Sequence, residues 1–126
     1  MRSAFIFVLI APLSIVGAHA ADLEHGAQVF RKCATCHMVG PDAKAKLGPP
    51  LNGLIGRKTG SIEGYNYTEA NKNSGLTWDD ETFTRYIKDP KGVIPDTKMS
   101  FAGLKDEDDI KDLLAFLKQF KADGSK

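Results

Sequence analysis

Apolar residues recur at helical spacing in well-separated stretches of this chain, and nowhere do they alternate for a useful length. Near the C-terminus Ile110, Leu113, Leu114 and Leu117 fall at i, i+3, i+4 and i+7, with Phe116 and Phe120 beside them. This predicts an amphipathic helix that Asp106 can cap. Leu23, Ala27 and Phe30 carry the same spacing from an N-cap candidate at Asp22 to about Lys32. Gly26 interrupts that helix at a cost of ~1 kcal/mol relative to alanine, and such a glycine permits a close helix crossing. Thr77 is expected to cap another helix reaching about Lys88, with Asp80 completing a capping-box-like pair and Pro90 ending it. Thr68 to Asn73 reads as a short helix. Residues 38–65 are rich in glycine and proline and read as loop, and Gly92 to Gly103 reads as extended or irregular. The expected fold class is all-α, with about four to five helices and long loops.

The first residues follow another pattern. Arg2 precedes an apolar run from Ala4 to Val16 broken only by Pro12 and Ser14, and Ala18-His19-Ala20 is an A-x-A cleavage signal. Residues 1–20 are therefore expected to be a signal peptide cleaved after Ala20, with one small domain in residues 21–126 and export to the periplasm. The apolar run is short for a membrane span of ~20 residues. The chain holds 17 basic and 16 acidic residues, and loss of Arg2 brings the balance to zero. A neutral domain argues against a nucleic-acid partner. The acidic clusters Asp79-Asp80-Glu81 and Asp106 to Asp109 read as helix-start charge. So small a chain with such loops buries little core by itself, and a large apolar prosthetic group would supply what is missing.

The chemistry concentrates at Cys33-Ala34-Thr35-Cys36-His37, a C-x-x-C-H sequence that consumes both cysteines of the chain. This is the attachment pattern of c-type haem. Two thiols at that spacing can add across the two haem vinyls, and the next histidine falls under the iron as an axial ligand. The competing readings are a thioredoxin-like redox pair and half of a zinc site. The first lacks a βαβ pattern. The second lacks partners, because the other histidines are His19 and His25. A second axial ligand is reached by elimination. Met1 would leave with the signal, Met38 is tied to the face of His37, and Met99 remains, in a loop able to wrap the opposite face. Lys98 and His25 are its rivals, and a gap-filling core methionine is the alternative role for Met99.

The motifs extend well beyond this pentapeptide. Gly26 with Phe30, the C-x-x-C-H, Gly48-Pro49-Pro50-Leu51-Asn52-Gly53 continuing to Gly60, Tyr65 to Asn73, Trp78, and Ile94-Pro95-Asp96-Thr97-Lys98-Met99 make the chain resemble, from Gly26 to Lys118, the class I c-type cytochromes. That family comprises mitochondrial cytochrome c and its short bacterial periplasmic relatives. The resemblance implies the small cytochrome c fold around one haem c, covalent through two thioethers at Cys33 and Cys36. It implies His37 and Met99 as iron ligands. It implies that the Pro49 carbonyl accepts from His37, and that Arg57, Tyr67 and Trp78 hold the inner propionate. Tyr86 would donate toward the Met99 sulfur, and Asn71 and Thr97 would join a buried polar network. Gly26 and Phe30 would cross the last helix near Leu113 and Phe116.

Iron ligated on both faces has no position for a substrate, so the family role is one-electron transfer and not enzymatic turnover. The implied carrier is soluble, periplasmic and monomeric. It would take electrons from a membrane cytochrome bc-type complex and pass them to a terminal oxidase, a reductase or a photosynthetic reaction centre. The alternative is a dedicated electron acceptor of one periplasmic dehydrogenase. Lys32, Lys46, Lys91 and Lys98 would ring the haem edge near Cys33 and Phe101, with the acidic clusters mostly away from it. The sequence departs from the mitochondrial pattern at Ala45, where that pattern has histidine, and at Ala27 and Asp106, where it has basic residues. The basic docking ring is therefore incomplete.

Overall fold

Two helices frame the molecule because a glycine lets them meet. The computed structural model describes residues 20–126, so the expected signal lies outside the described residues apart from Ala20. Helix α1 (Leu23–Phe30) begins where the Asp22 carboxylate accepts the His25 backbone N–H at 3.0 Å. Helix α5 (Glu107–Lys118) begins at Asp106, whose carboxylate accepts from the N–H groups of Asp108 and Asp109 at 2.9 and 3.0 Å. Glu107, Asp108 and Asp109 occupy its first turn, where the helix dipole favours negative charge. The two helices cross at Gly26. A Cβ there would lie 2.1 Å from the Asp112 carbonyl oxygen and 2.8 Å from Phe116 Cβ. Beyond the crossing, Phe30 packs at a tilt against Phe116 with ring centroids 5.4 Å apart. Val29 and Phe30 are buried with Ile110, Leu113, Leu114 and Leu117.

The expected helix from Asp22 ends at Phe30, earlier than Lys32. The chain then tightens into successive turns: Cys33 N–H bonds Phe30 O at 2.8 Å, and His37 N–H bonds Cys33 O at 2.9 Å. This continuation sets both cysteines and His37 on a short curved segment beside α1.

Helix α2 (Glu69–Lys72) is capped by Thr68, as its sequence suggests. Helix α3 (Asp80–Lys88) corrects the expected cap. Asp79, not Thr77, accepts from Thr82 N–H, at 2.7 Å. Thr77 instead forms an isolated antiparallel bridge with Lys58. Next to it Trp78 N–H bonds Arg57 O at 2.9 Å, and Trp78 O accepts from Gly56 N–H at 2.6 Å. Burying Trp78 in this way keeps the backbone extended until Asp79. Pro90 ends α3 but also opens helix α4 (Pro90–Val93), so the irregular stretch begins after Val93 and not at Gly92. Proline is suited to a first helical position because its missing N–H would be unpaired there anyway.

No named strand occurs among the described residues, and side chains hold the loops. Asn52 bonds both the N–H and the carbonyl of Gly40, at 2.9 and 2.8 Å. Ile94 to Thr97 forms a turn closed by Thr97 N–H on Ile94 O at 3.1 Å, with Asp96 at φ 66°. Aspartate tolerates this left-handed conformation better than most side chains. The turn buries Thr97 and leads on to exposed Lys98 and half-buried Met99.

Candidate functional site

A cavity of about 630 Å³ lies between the C-x-x-C-H turn, the loop around Pro49, the Thr68–Asn71 segment, α3 and the Thr97–Phe101 loop, with Leu113 and Leu117 of α5 at its base. Its volume is within the range of cofactor pockets and far beyond what the surrounding side chains fill. Cys33, Cys36, His37, Pro49, Arg57, Tyr67, Asn71, Trp78, Tyr86, Thr97 and Met99 all line it. The fold thus gathers at one cavity every site residue expected from the sequence.

His37 is oriented from behind. Its Nδ1 is 2.7 Å from the Pro49 carbonyl oxygen. A carbonyl only accepts, so Nδ1 carries the proton and Nε2 keeps a lone pair. Burial pushes the His37 pKa down, and the Pro49 bond opposes this. The ring is therefore neutral at physiological pH, the state a metal ligand requires. Gly48 makes room for it: a Cβ there would lie 2.3 Å from the ring. Cys33 and Cys36 both line the cavity and are not joined to each other by a disulfide. Burial pushes the Cys33 thiol up to about 11, against the opposing effect of Lys32.

The Met99 loop lines the same cavity. Tyr86 Oη stands 3.8 Å from Met99 Sδ and 3.2 Å from Thr97 Oγ1, and the Met99 N–H reaches Thr97 Oγ1 at 3.4 Å. Burial raises the Tyr86 pKa, so the phenol stays protonated and able to donate. Asn71 lines the cavity, but its side-chain Oδ1 accepts from Thr68 Oγ1 at 3.2 Å and not from the Tyr86–Thr97 pair. The two rivals of Met99 are engaged elsewhere. His25 faces Asp112 and Asp109 across the helix crossing. Lys98 bonds the Asn66 carbonyl and lies 4.5 Å above the Tyr65 ring.

The residues expected at a propionate have further duties. Arg57 Nη1 and Nη2 bond the carbonyls of Asn52 and Pro50 at 2.8 and 3.1 Å, clamping the loop behind His37. Its Nε is buried without a partner, a cost that an anionic substituent in the cavity would remove. Tyr67 Oη accepts from Ile62 N–H at 3.2 Å. Trp78 packs edge-on against Tyr86 with centroids 5.0 Å apart. Tyr65 opens the motif that runs to Asn73 without a role implied for it, and its phenol holds the rim by donating to Leu47 O at 2.6 Å. Nothing in the local pattern distinguishes that tyrosine from Tyr67.

These features fit haem c: two thiols on one wall, a neutral imidazole and a thioether from different segments, apolar walls, and an orphaned guanidinium N–H. The fit excludes the alternatives. Among the described residues no group of three or more His, Cys, Asp or Glu could hold a metal ion, so the zinc reading lacks ligands. The thioredoxin reading lacks its sheet.

Of the expected docking lysines, Lys32 and Lys98 line the cavity, Lys46 adjoins Leu47 at its rim, and exposed Lys91 sits on α4. The second acidic cluster reaches toward this ring at one point. Asp109 of the second acidic cluster lies 3.5 Å from Lys32, because the crossing of α1 and α5 brings the start of one helix beside the end of the other. That cluster is thus not wholly separate from the basic ring. Among the described residues no helix is long and apolar enough to cross a membrane.

Comparison with known proteins agrees with the geometry. Residues 23–121 match the model of the cytochrome c family. A cytochrome c2 from Blastochloris viridis is 58% identical over 121 residues, covering 96% of this chain and 94% of the relative. A cytochrome c-550 from Bradyrhizobium diazoefficiens is 57% identical over 99 residues, 79% of this chain and 73% of its own. Among solved structures, cytochrome c2 from Rhodospirillum centenum superposes with a TM-score of 0.75 at 39% identity, over 80% of this chain and 99% of that one. Cytochrome cH from Methylobacterium extorquens gives 0.74 at 38% identity, over 79% and 99%. The chain belongs to the cytochrome c family, electron carriers that hold one covalently bound haem c and are not enzymes.

Proposed function

We propose that the chain is a soluble periplasmic one-electron carrier whose haem iron is held by His37 and Met99. In this reading it moves electrons from a membrane bc-type complex to a terminal oxidase, a reductase or a photosynthetic reaction centre. The observation that carries it is the pairing across one cavity of an imidazole fixed by the Pro49 carbonyl at 2.7 Å and a thioether beside the Tyr86 phenol at 3.8 Å.

When bound, haem c supplies a reversible ferric–ferrous couple. The chain's own residues set the conditions. Cys33 and Cys36 anchor the group, and Pro49 fixes the His37 tautomer and ring plane. Tyr86 and Thr97 brace the Met99 loop, and a loop so held would keep reorganisation small. Leu54, Phe83, Ile87 and Leu117 exclude water. Thioether ligation by Met99 and burial would favour the reduced state and raise the potential. Exposed lysines at the cavity mouth would meet acidic partners in small, transient, salt-sensitive contacts.

The test is Met99→Ala in the holoprotein. Haem should remain covalently attached, carbon monoxide should bind the reduced form rapidly, and the potential should fall. Unchanged potential together with unchanged exclusion of carbon monoxide would overturn the Met99 assignment.

A further inference from the structure

At the crossing of α1 and α5, His25 presents each ring nitrogen to a different carboxylate. Nδ1 lies 2.8 Å from Asp112 Oδ2, and Nε2 lies 3.3 Å from Asp109 Oδ1. Carboxylates only accept hydrogen bonds. A neutral imidazole has one N–H and one lone pair, so it satisfies one of these contacts and opposes the other. Only the imidazolium matches both. Asp109 is also shared: its other oxygen is 3.5 Å from Lys32 Nζ, and Lys32 lines the mouth of the haem cavity.

We propose that His25 is a proton-dependent control on the docking face: protonated, it offsets the charge of Asp109 beside Lys32 and leaves the lysine's positive field to an acidic partner; neutral, it leaves the Asp109 charge to act on Lys32 alone. This rests on the reading of the cavity mouth as the docking surface. The charged groups facing the His25 ring are Asp22, which caps its own helix, and Asp109 and Asp112 from α5. Lys32 approaches Asp109, and Lys111 acts on Asp112. Asp112 is buried and also accepts the Asp22 N–H at 2.8 Å. The shorter His25–Asp112 contact therefore survives deprotonation as Nδ1–H to carboxylate, and the longer one to the more exposed Asp109 is lost. The hydrogen bond to Asp112, aided by the charge of Asp109, raises the His25 pKa above its ordinary value.

The sign follows. Protonated His25, Lys32, Asp109 and Asp112 sum to zero, and loss of the proton leaves a net negative charge beside the lysine. An acidic partner should bind faster and tighter below the His25 midpoint than above it. One unit charge about 10 Å away through water alters affinity about twofold at low salt.

The experiment uses the holoprotein and poly-L-glutamate as the acidic probe, at low ionic strength from acid to alkaline pH. The His25 ring is titrated in parallel by NMR. Wild type should bind about twofold tighter below the His25 midpoint. His25→Lys should hold the tight value at every pH, and His25→Gln the weak one. Asp109→Asn should lower the NMR midpoint. A wild-type pH profile that persists in His25→Gln, or an NMR midpoint unmoved by Asp109→Asn, would overturn the control. Lys32→Gln separates the two claims. Loss of affinity at all pH values supports the docking face, and unchanged affinity overturns that reading and the control with it.

Discussion

Gly26→Ala sets two effects of known sign against each other. Helix propensity alone predicts that alanine stabilises α1 by ~1 kcal/mol. The crossing predicts the reverse. The added Cβ would sit 2.1 Å from the Asp112 carbonyl oxygen, 2.7 Å from its carbon and 2.8 Å from Phe116 Cβ. Ordinary contact lies at about 3.5 Å, so α1 and α5 must part by about 1 Å. Two of the three atoms are backbone of a hydrogen-bonded helix and cannot rotate away. Overpacking costs about 1–3 kcal/mol and occasionally more, and a 2.1 Å approach to helix backbone belongs at the upper end, at about 2–3 kcal/mol. Separation would also loosen the Phe30–Phe116 packing and weaken the Asp112 contacts with His25 and Asp22. The opposing propensity gain leaves a net loss of roughly 1–2 kcal/mol. For a domain of this size that lowers the melting temperature by about 5–15 °C. The assay is thermal unfolding of the ferric holoprotein followed by far-UV circular dichroism, with wild type alongside. A variant that melts at the wild-type temperature or above it would refute the steric account of the glycine.

Other outcomes follow from the same geometry. Cys33→Ala and Cys36→Ala should each weaken or abolish covalent haem, read by pyridine haemochrome spectra and haem staining on denaturing gels, and normal attachment in both would contradict the thioether assignment. Lys91→Glu should slow electron transfer to an acidic oxidase or reductase and flatten its salt dependence, whereas Lys121→Glu should do little; equal rates and slopes would move docking away from the cavity mouth. Stability should also respond to pH through the His25–Asp112 pair. His25 has a raised pKa, so its contribution is complete below 6.5 and is lost as pH rises through the folded value. Asp112 has a lowered pKa, chiefly from the Asp22 N–H and then His25, so its contribution is complete above 3.8 and is lost as pH falls through the folded value. The denaturant midpoint of wild type should therefore exceed that of His25→Gln most between pH 3.8 and 6.5, and a constant difference across pH would count against the pair.

Local chemistry made much of this protein legible. C-x-x-C-H names its cofactor because two thiols and an imidazole at that spacing suit few other groups. The final helix is plain in the spacing of Ile110, Leu113, Leu114 and Leu117, and its start is plain in Asp106, because capping and amphipathicity act over one or two turns. The resemblance to the c-type cytochromes carried the residues around the cavity, which local spacing could not have supplied. Tertiary structure decided the rest. Thr77 and Asp79 are both good caps, and the helix begins at the second because Trp78 is pinned in extended form to Arg57 and Gly56. Pro90 reads as a stop, yet a chain already turned by Asp89 uses it as a start. Asp112 looks like one more surface acid of a charged helix. It is buried because Gly26 lets α1 come close enough to cover it and supply its partners. Periodicity records which face of a helix is apolar, but a contact between residues ninety apart depends on how two helices cross, and only the folded chain fixes that.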